Sequence, residues 1–121
     1  MAMRVAVTGA AGYLGRNISR GLVDAGYEVR LIDMRMRSEL PARLEITVLC
    51  DIPSAYRILE GCEAVVHLAN HPGPHGMPPQ RLLRENVELN ANVFQAAADL
   101  GIRKIVSASS VQAFAGDRNI G

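Results

Sequence analysis

Three glycines, Gly9, Gly12 and Gly15, follow directly on the apolar run Val5-Ala6-Val7-Thr8, and this spacing is the feature of the chain best suited to chemistry. Gly9 lets the backbone turn tightly off a strand, Gly12 leaves no side chain between backbone and a pyrophosphate, and Gly15 lets the next helix lie close on a sheet. The start of that helix offers unpaired N–H groups and a partial positive charge to phosphate oxygens. Ala11, Tyr13 and Leu14 complete the loop. Asp33, about 20 residues further on at the tip of a second strand, supplies a carboxylate able to accept both hydroxyls of an adenosine ribose. Together they read as a dinucleotide site, because the strand, glycine loop, helix and acid occur in the required order.

Regular elements must carry these groups. Leu14, Ile18 and Leu22 recur at helical spacing, Gly26 closes that helix, and the residues from Tyr27 to Ile32 alternate as a strand. A polar connection from Met34 to Pro41 leads to a third apolar strand, Leu44 to Leu49, which ends at Asp51-Ile52. Pro53 and Ser54 start a short helix over Ala55 to Leu59, closed by Gly61, and a fourth strand runs from Ala64 to Leu68. The Pro- and Gly-rich stretch from Asn70 to Pro79 reads as a loop at that strand's carboxyl end, either lining a ligand crevice or serving as a plain surface connection. A long amphipathic helix from Gln80 to Leu100 follows, closed by Gly101, and a fifth strand from Arg103 to Ser110 ends in hydroxyl-rich residues. Strands separated by helices pair in parallel through right-handed crossovers. The expectation is a single α/β domain over residues 1–121, a Rossmann-type doubly wound parallel sheet of order 3-2-1-4-5.

Composition excludes several other classes. With 121 residues, 49% of them hydrophobic, and a formal net charge of +1, the chain suits one folded domain and shows no footprint for nucleic acid. The longest apolar runs are strand-sized, well short of the roughly 20 residues of a membrane span. The first strand begins almost at once, leaving no room for a secretory leader, so a cytoplasmic location is expected. Cys50 and Cys62 lack paired zinc-ligand spacing and read as buried reduced thiols. His67 lies within a strand end near the cofactor rather than in a ligand set. His71 and His75 are four apart, but Pro72 and Pro74 forbid the helix that would align them, and no metal is expected.

With these residues in view, the chain resembles the extended short-chain dehydrogenase/reductase family, in its NAD-dependent epimerase/dehydratase branch. Thr8-Gly9-Ala10-Ala11-Gly12-Tyr13-Leu14-Gly15 is similar to the family's T-G-x-x-G-x-x-G loop, and Asp33 matches its ribose acid. Asp51-Ile52 matches its adenine-contacting pair, His67-Leu68-Ala69 its H-L-A strand end, and Asn86 its helix asparagine. The resemblance thus implies a cofactor shell that also takes in Met34 and Arg35 after Asp33, and Asn70 after Ala69. The stretch from Ile105 to Ser110 is similar to the strand that carries a catalytic Ser or Thr, with Ser110 the matching serine and Ser109 the alternative. NAD is expected in preference to NADP, since Asp33 repels a 2′-phosphate; Arg35 and Arg37 point the other way, because a guanidinium can hold that phosphate.

In the family a Tyr and a Lys from a Y-x-x-x-K motif complete the proton chemistry, the Lys ammonium lowering the Tyr pKa so that a phenolate can take a hydroxyl proton. Tyr13, Tyr27 and Tyr56 are none of them followed by Lys four positions on. The resemblance therefore implies the amino-terminal portion of a longer enzyme acting by hydride transfer on a sugar or nucleotide-sugar, with this chain inactive alone. It is expected to form a homo-oligomer, the open edge of its fifth strand being free to pair. Two other readings stay open: a non-catalytic dinucleotide-binding sensor or scaffold, and a redox protein working through Cys50 and Cys62.

Overall fold

Val5-Ala6-Val7 and Leu31-Ile32 carry apolar side chains toward both faces of a strand, as a sheet covered on both sides requires. In the computed structural model, which describes residues 2–70 and 77–108, all five are buried. The elements run β1 (Arg4–Thr8), α1 (Tyr13–Asp24), β2 (Glu28–Asp33), β3 (Leu44–Ile46), α2 (Ile52–Leu59), β4 (Ala64–His67), α3 (Pro79–Asp99) and β5 (Lys104–Ser107). The strands form one sheet of order β3-β2-β1-β4-β5, with every neighbouring pair parallel. This is the expected doubly wound α/β topology. Thr8 lies opposite Ile32 and His67, and His67 opposite Ser107. The carboxyl ends of β1, β2, β4 and β5 therefore share one edge, and the glycine loop leaves from its middle.

The two sheet faces build two cores. Ala6, Ile32 and Val65 meet Ile58 and Leu59 of α2 and Leu89 and Val93 of α3. Val5, Val7 and Leu31 point the other way and pack with Leu22 of α1. Truncating a fully buried Ile or Leu to Ala typically costs about 2–5 kcal/mol, so these layers outweigh any single polar contact in holding the sheet. Both longer helices end on the same two-bond cap. At α1, Gly26 N–H reaches Val23 O and Tyr27 N–H reaches Leu22 O; at α3, Gly101 N–H reaches Ala98 O and Ile102 N–H reaches Ala97 O.

One end of β3 and one of α2 differ from the sequence reading by three residues, and several other element ends by one. β3 stops at Ile46 rather than Leu49, because the chain turns so that Asp51 N–H meets Val48 O at 3.2 Å. α2 begins at Ile52 rather than Ala55, since the Asp51 carboxylate accepts the Ser54 N–H at 3.3 Å and its hydroxyl at 2.5 Å, capping the helix ahead of Pro53. The described part of β5 spans Lys104–Ser107, and Ser109 and Ser110 lie outside the described residues.

Candidate functional site

The carboxyl edge of the sheet opens into a cavity of about 470 Å³, within the size range of small-molecule sites. Gly9, Gly12, Tyr13, Leu14 and Gly15 form one wall, and Asp33, Met34 and Arg35 after β2 form another. Leu68, Ala69 and Asn70 follow from β4. Thr47, Val48, Leu49 and Cys50, from the turn after β3, close the far side with Glu85 and Leu89 of α3, and Ala108 lies beyond β5.

The three glycines are required for different reasons. A Cβ on Gly15 would stand 2.1 Å from the Gly9 carbonyl oxygen, and one on Gly9, whose φ is +70°, would stand 2.8 Å from the Ala69 nitrogen. Backbone packs against both. A Cβ on Gly12 would meet only the Gly9 oxygen at 3.4 Å and an Arg35 guanidinium nitrogen at 4.0 Å, so the chain itself tolerates it. What Gly12 keeps clear is the cavity. Gly12 is the N-cap of α1, and no side chain bonds there, so the first-turn N–H groups are left for a ligand. That arrangement suits a diphosphate.

Asp33 is only 6% exposed. Its Oδ2 accepts the Ala11 N–H at 2.9 Å, its Oδ1 accepts the Arg35 N–H at 3.0 Å, and the Arg35 guanidinium stands 3.7 Å away. A carboxylate has about four lone-pair sites, so acceptor capacity remains for ribose hydroxyls. Thr47 is buried, lines the same cavity, and its hydroxyl finds no partner among the described residues.

His67, at the end of β4, is 2% exposed and sits between Thr8 and Asn90, with Nδ1 2.6 Å from the Thr8 Oγ1 and Nε2 2.6 Å from the Asn90 Oδ1. Burial lowers its pKa, against a smaller opposing effect of the Asn90 hydrogen bond. Cys62 is buried as expected, whereas Cys50 is half-buried and lines the cavity. Its thiol pKa is raised by burial first, then by Glu85 and Glu88, and burial also raises that of Cys62. Neither surrounding lowers a thiol pKa as an activated thiolate requires.

Most of the residues singled out from the sequence converge here. Gly9, Gly12, Tyr13, Leu14, Gly15, Asp33, Met34, Arg35, Leu68, Ala69 and Asn70 all line the cavity. Ala11 lies behind the loop, its N–H on Asp33. Asp51 caps α2 through Oδ2, and Ile52 is exposed beside it; neither they nor Asn86 of α3 are among the lining residues. His71, His75, Ser109 and Ser110 lie outside the described residues. Sequence reasoning missed the wall from Thr47 to Cys50, and the partners of His67. For the first, the available signal was position: these residues follow the third strand at the ligand edge of the sheet.

Among the described residues no three His, Cys, Asp or Glu side chains group as a metal site, and no helix is long and apolar enough to cross a membrane.

Comparison with known proteins agrees with this geometry. The NAD dependent epimerase/dehydratase family matches residues 5–120. An NAD-dependent glucose-6-phosphate dehydrogenase of Haloferax volcanii is 34% identical over 113 residues, covering 88% of this chain and 42% of that enzyme. Among solved structures, a short-chain dehydrogenase/reductase superfamily protein of Agrobacterium tumefaciens with bound NAD superposes with a TM-score of 0.84 at 30% identity, over 95% of this chain and 35% of that one. A Thermus thermophilus UDP-glucose 4-epimerase in complex with NAD gives 0.80 at 27% identity, over 89% and 38%. The chain thus spans well under half the length of these relatives.

Proposed function

The chain belongs to the NAD dependent epimerase/dehydratase family, and from that premise we propose that it is the cofactor-holding portion of an enzyme that moves hydride to and from a sugar or nucleotide-sugar. The observation that carries this reading is the cavity in which an uncapped helix start, a clear space over Gly12 and the buried acid Asp33 face one another. When bound, the nicotinamide supplies the hydride acceptor and donor. The chain's own residues do the rest: backbone N–H groups of α1 bind the diphosphate, Asp33 orients the ribose, and the apolar flank of Val48, Leu49 and Leu68 takes the adenine.

NAD is the preferred cofactor in this proposal, because Asp33 is buried and already fixed in place, where a 2′-phosphate would meet its charge at close range. Ser110, or Ser109 beside it, is assigned the hydroxyl that contacts substrate; both follow Ala108, which lines the cavity. The Tyr and Lys that family members use as base have no counterpart among the positions of this sequence, so the 121-residue chain binds cofactor without turnover. The proposed enzyme works in the cytoplasm as a homo-oligomer.

Calorimetric titration of the chain with NAD and with NADP is the direct test. Saturable NAD binding, tighter than that of NADP, supports the proposal, and tighter NADP binding overturns the cofactor assignment. Absence of binding to either overturns the reading as a whole.

A further inference from the structure

At the junction of β1 and β4 the Thr8 hydroxyl gathers a chain of buried hydrogen bonds. The Thr8 hydroxyl oxygen lies 3.0 Å from the Leu68 nitrogen and 3.1 Å from the Ala69 nitrogen, both donors; the Leu68 N–H is shared with the Thr8 carbonyl at 3.2 Å. A hydroxyl has one proton and two lone pairs. With both lone pairs facing N–H groups, its proton can go only to His67 Nδ1, 2.6 Å away. The imidazole proton then sits on Nε2 and is donated to Asn90 Oδ1 at 2.6 Å. Every donor and acceptor in this buried chain is matched in one direction only, from Leu68 and Ala69 through Thr8 and His67 to Asn90.

The positions tied together are the cavity walls. Leu68 and Ala69 line it on one side, and Gly9, the residue after Thr8, lines it on the other. Gly9 packs so tightly on the Leu68–Ala69 peptide that an added Cβ would stand 2.8 Å from it. The spacing of glycine loop and β4 end is therefore set by the Thr8 bridge, and the bridge points the right way only while His67 accepts at Nδ1.

We propose that His67 is a positioning residue for the dinucleotide cavity, acting through Thr8 to hold the loop and the β4 end at the separation that NAD requires, with Asn90 accepting the Nε2 proton. The proposal rests on the dinucleotide reading above. It makes His67 more than core filling: the ring matters for which nitrogen accepts.

Two substitutions separate these roles. His67→Asn keeps an oxygen where Nδ1 stood and loses the bond to Asn90, whereas His67→Gln keeps a donor toward Asn90 and leaves Thr8 without an acceptor. Each gives up one hydrogen bond, so a purely structural residue predicts similar losses in thermal stability and in NAD affinity. Under the proposal, His67→Gln weakens NAD binding by roughly five- to tenfold, the size of one net hydrogen bond, while His67→Asn stays within about twofold of the parent. Thr8→Val, which also strips the Leu68 and Ala69 N–H groups of that acceptor, weakens NAD binding at least as much as His67→Gln, and the double variant is no weaker than Thr8→Val alone. Calorimetry with NAD on the full chain reads these affinities, and nitrogen-15 NMR of the imidazole reads the tautomer in the unsubstituted protein, independent of whether any variant folds. Equal affinity losses in the two His67 variants, additive losses in the double variant, or a proton found on Nδ1 each overturn the proposal. A parent chain that shows the Nε2–H tautomer but binds no NAD overturns the dinucleotide reading, and this role with it.

Discussion

Asp33 Oδ2 accepts the backbone N–H of Ala11 at 2.9 Å, so the acid that ends β2 is bonded to the glycine loop as well as available to a ribose. Asp33→Ala strips an acceptor from two N–H groups, those of Ala11 and Arg35. Leaving a buried donor unsatisfied costs about 1–3 kcal/mol, and a drop of that order is expected in denaturant unfolding, together with loss of NAD binding. Asp33→Asn keeps an oxygen but no charge. It should lose less stability and narrow the gap between NAD and NADP affinity in parallel titrations; an unchanged gap would show that the charge is not what discriminates.

Gly12 and Gly15 should respond oppositely to added side chains. Gly12→Val abolishes dinucleotide binding while the circular dichroism spectrum and melting temperature stay near the parent's, because its Cβ meets backbone only at the Gly9 oxygen, at 3.4 Å, and faces the cavity. Gly15→Ala instead destabilises the chain, since its Cβ would stand 2.1 Å from the Gly9 carbonyl oxygen. Undiminished NAD affinity in Gly12→Val would sink the phosphate-cradle assignment.

Acid should weaken the fold through His67. The ring is faced by uncharged groups, Thr8 of β1, Asn90 and Phe94 of α3, and Ser107 across the β4–β5 pairing. Burial lowers its pKa in the folded chain, whereas in the unfolded chain it titrates near ~6.5. The unfolded state thus takes up the proton first. His67's contribution is complete above about pH 6.5 and is lost as pH falls below it, until the folded pKa is passed. Subtracting the unfolding free energy of His67→Asn from that of the parent, measured across this range, isolates the effect; a difference independent of pH would refute it.

The outer strand predicts association. All four residues of β5 are exposed, with Ile105 at 37% and Val106 at 62%, and the strand pairs only with β4 among the described residues. Such an edge offers backbone groups and apolar surface to a second copy. Light scattering at low micromolar concentration should find dimers or larger species, reduced by Val106→Lys; a strictly monomeric parent would count against the edge.

The topology was legible because β1, β3 and β4 are each followed by a helix with its own closing glycine, and parallel pairing leaves few orders. The glycine wall was legible for a related reason: its chemistry is local, within the stretch from Gly9 to Gly15. The opposite wall was not. The turn from Thr47 to Cys50 is shaped by a backbone bond between Asp51 and Val48 and by the Asp51 cap, and apolar residues there look like more strand. His67 was placed correctly at a strand end near the cavity, yet its partners lie 59 positions before it and 23 after it, a distance no local pattern spans.

Leu49 and Leu89 belong at once to the hydrophobic core and to the cavity wall. A molecule seated against them is therefore in contact with the packing that keeps the sheet and its helices together, and it is bound only while that packing exists. Occupancy and folding become one equilibrium: at a free ligand concentration of 100 times Kd, the folded state gains about 2.7 kcal/mol. For a chain of this size that is a substantial fraction of what holds it together, and the cofactor acts as a chaperone for its own binding domain.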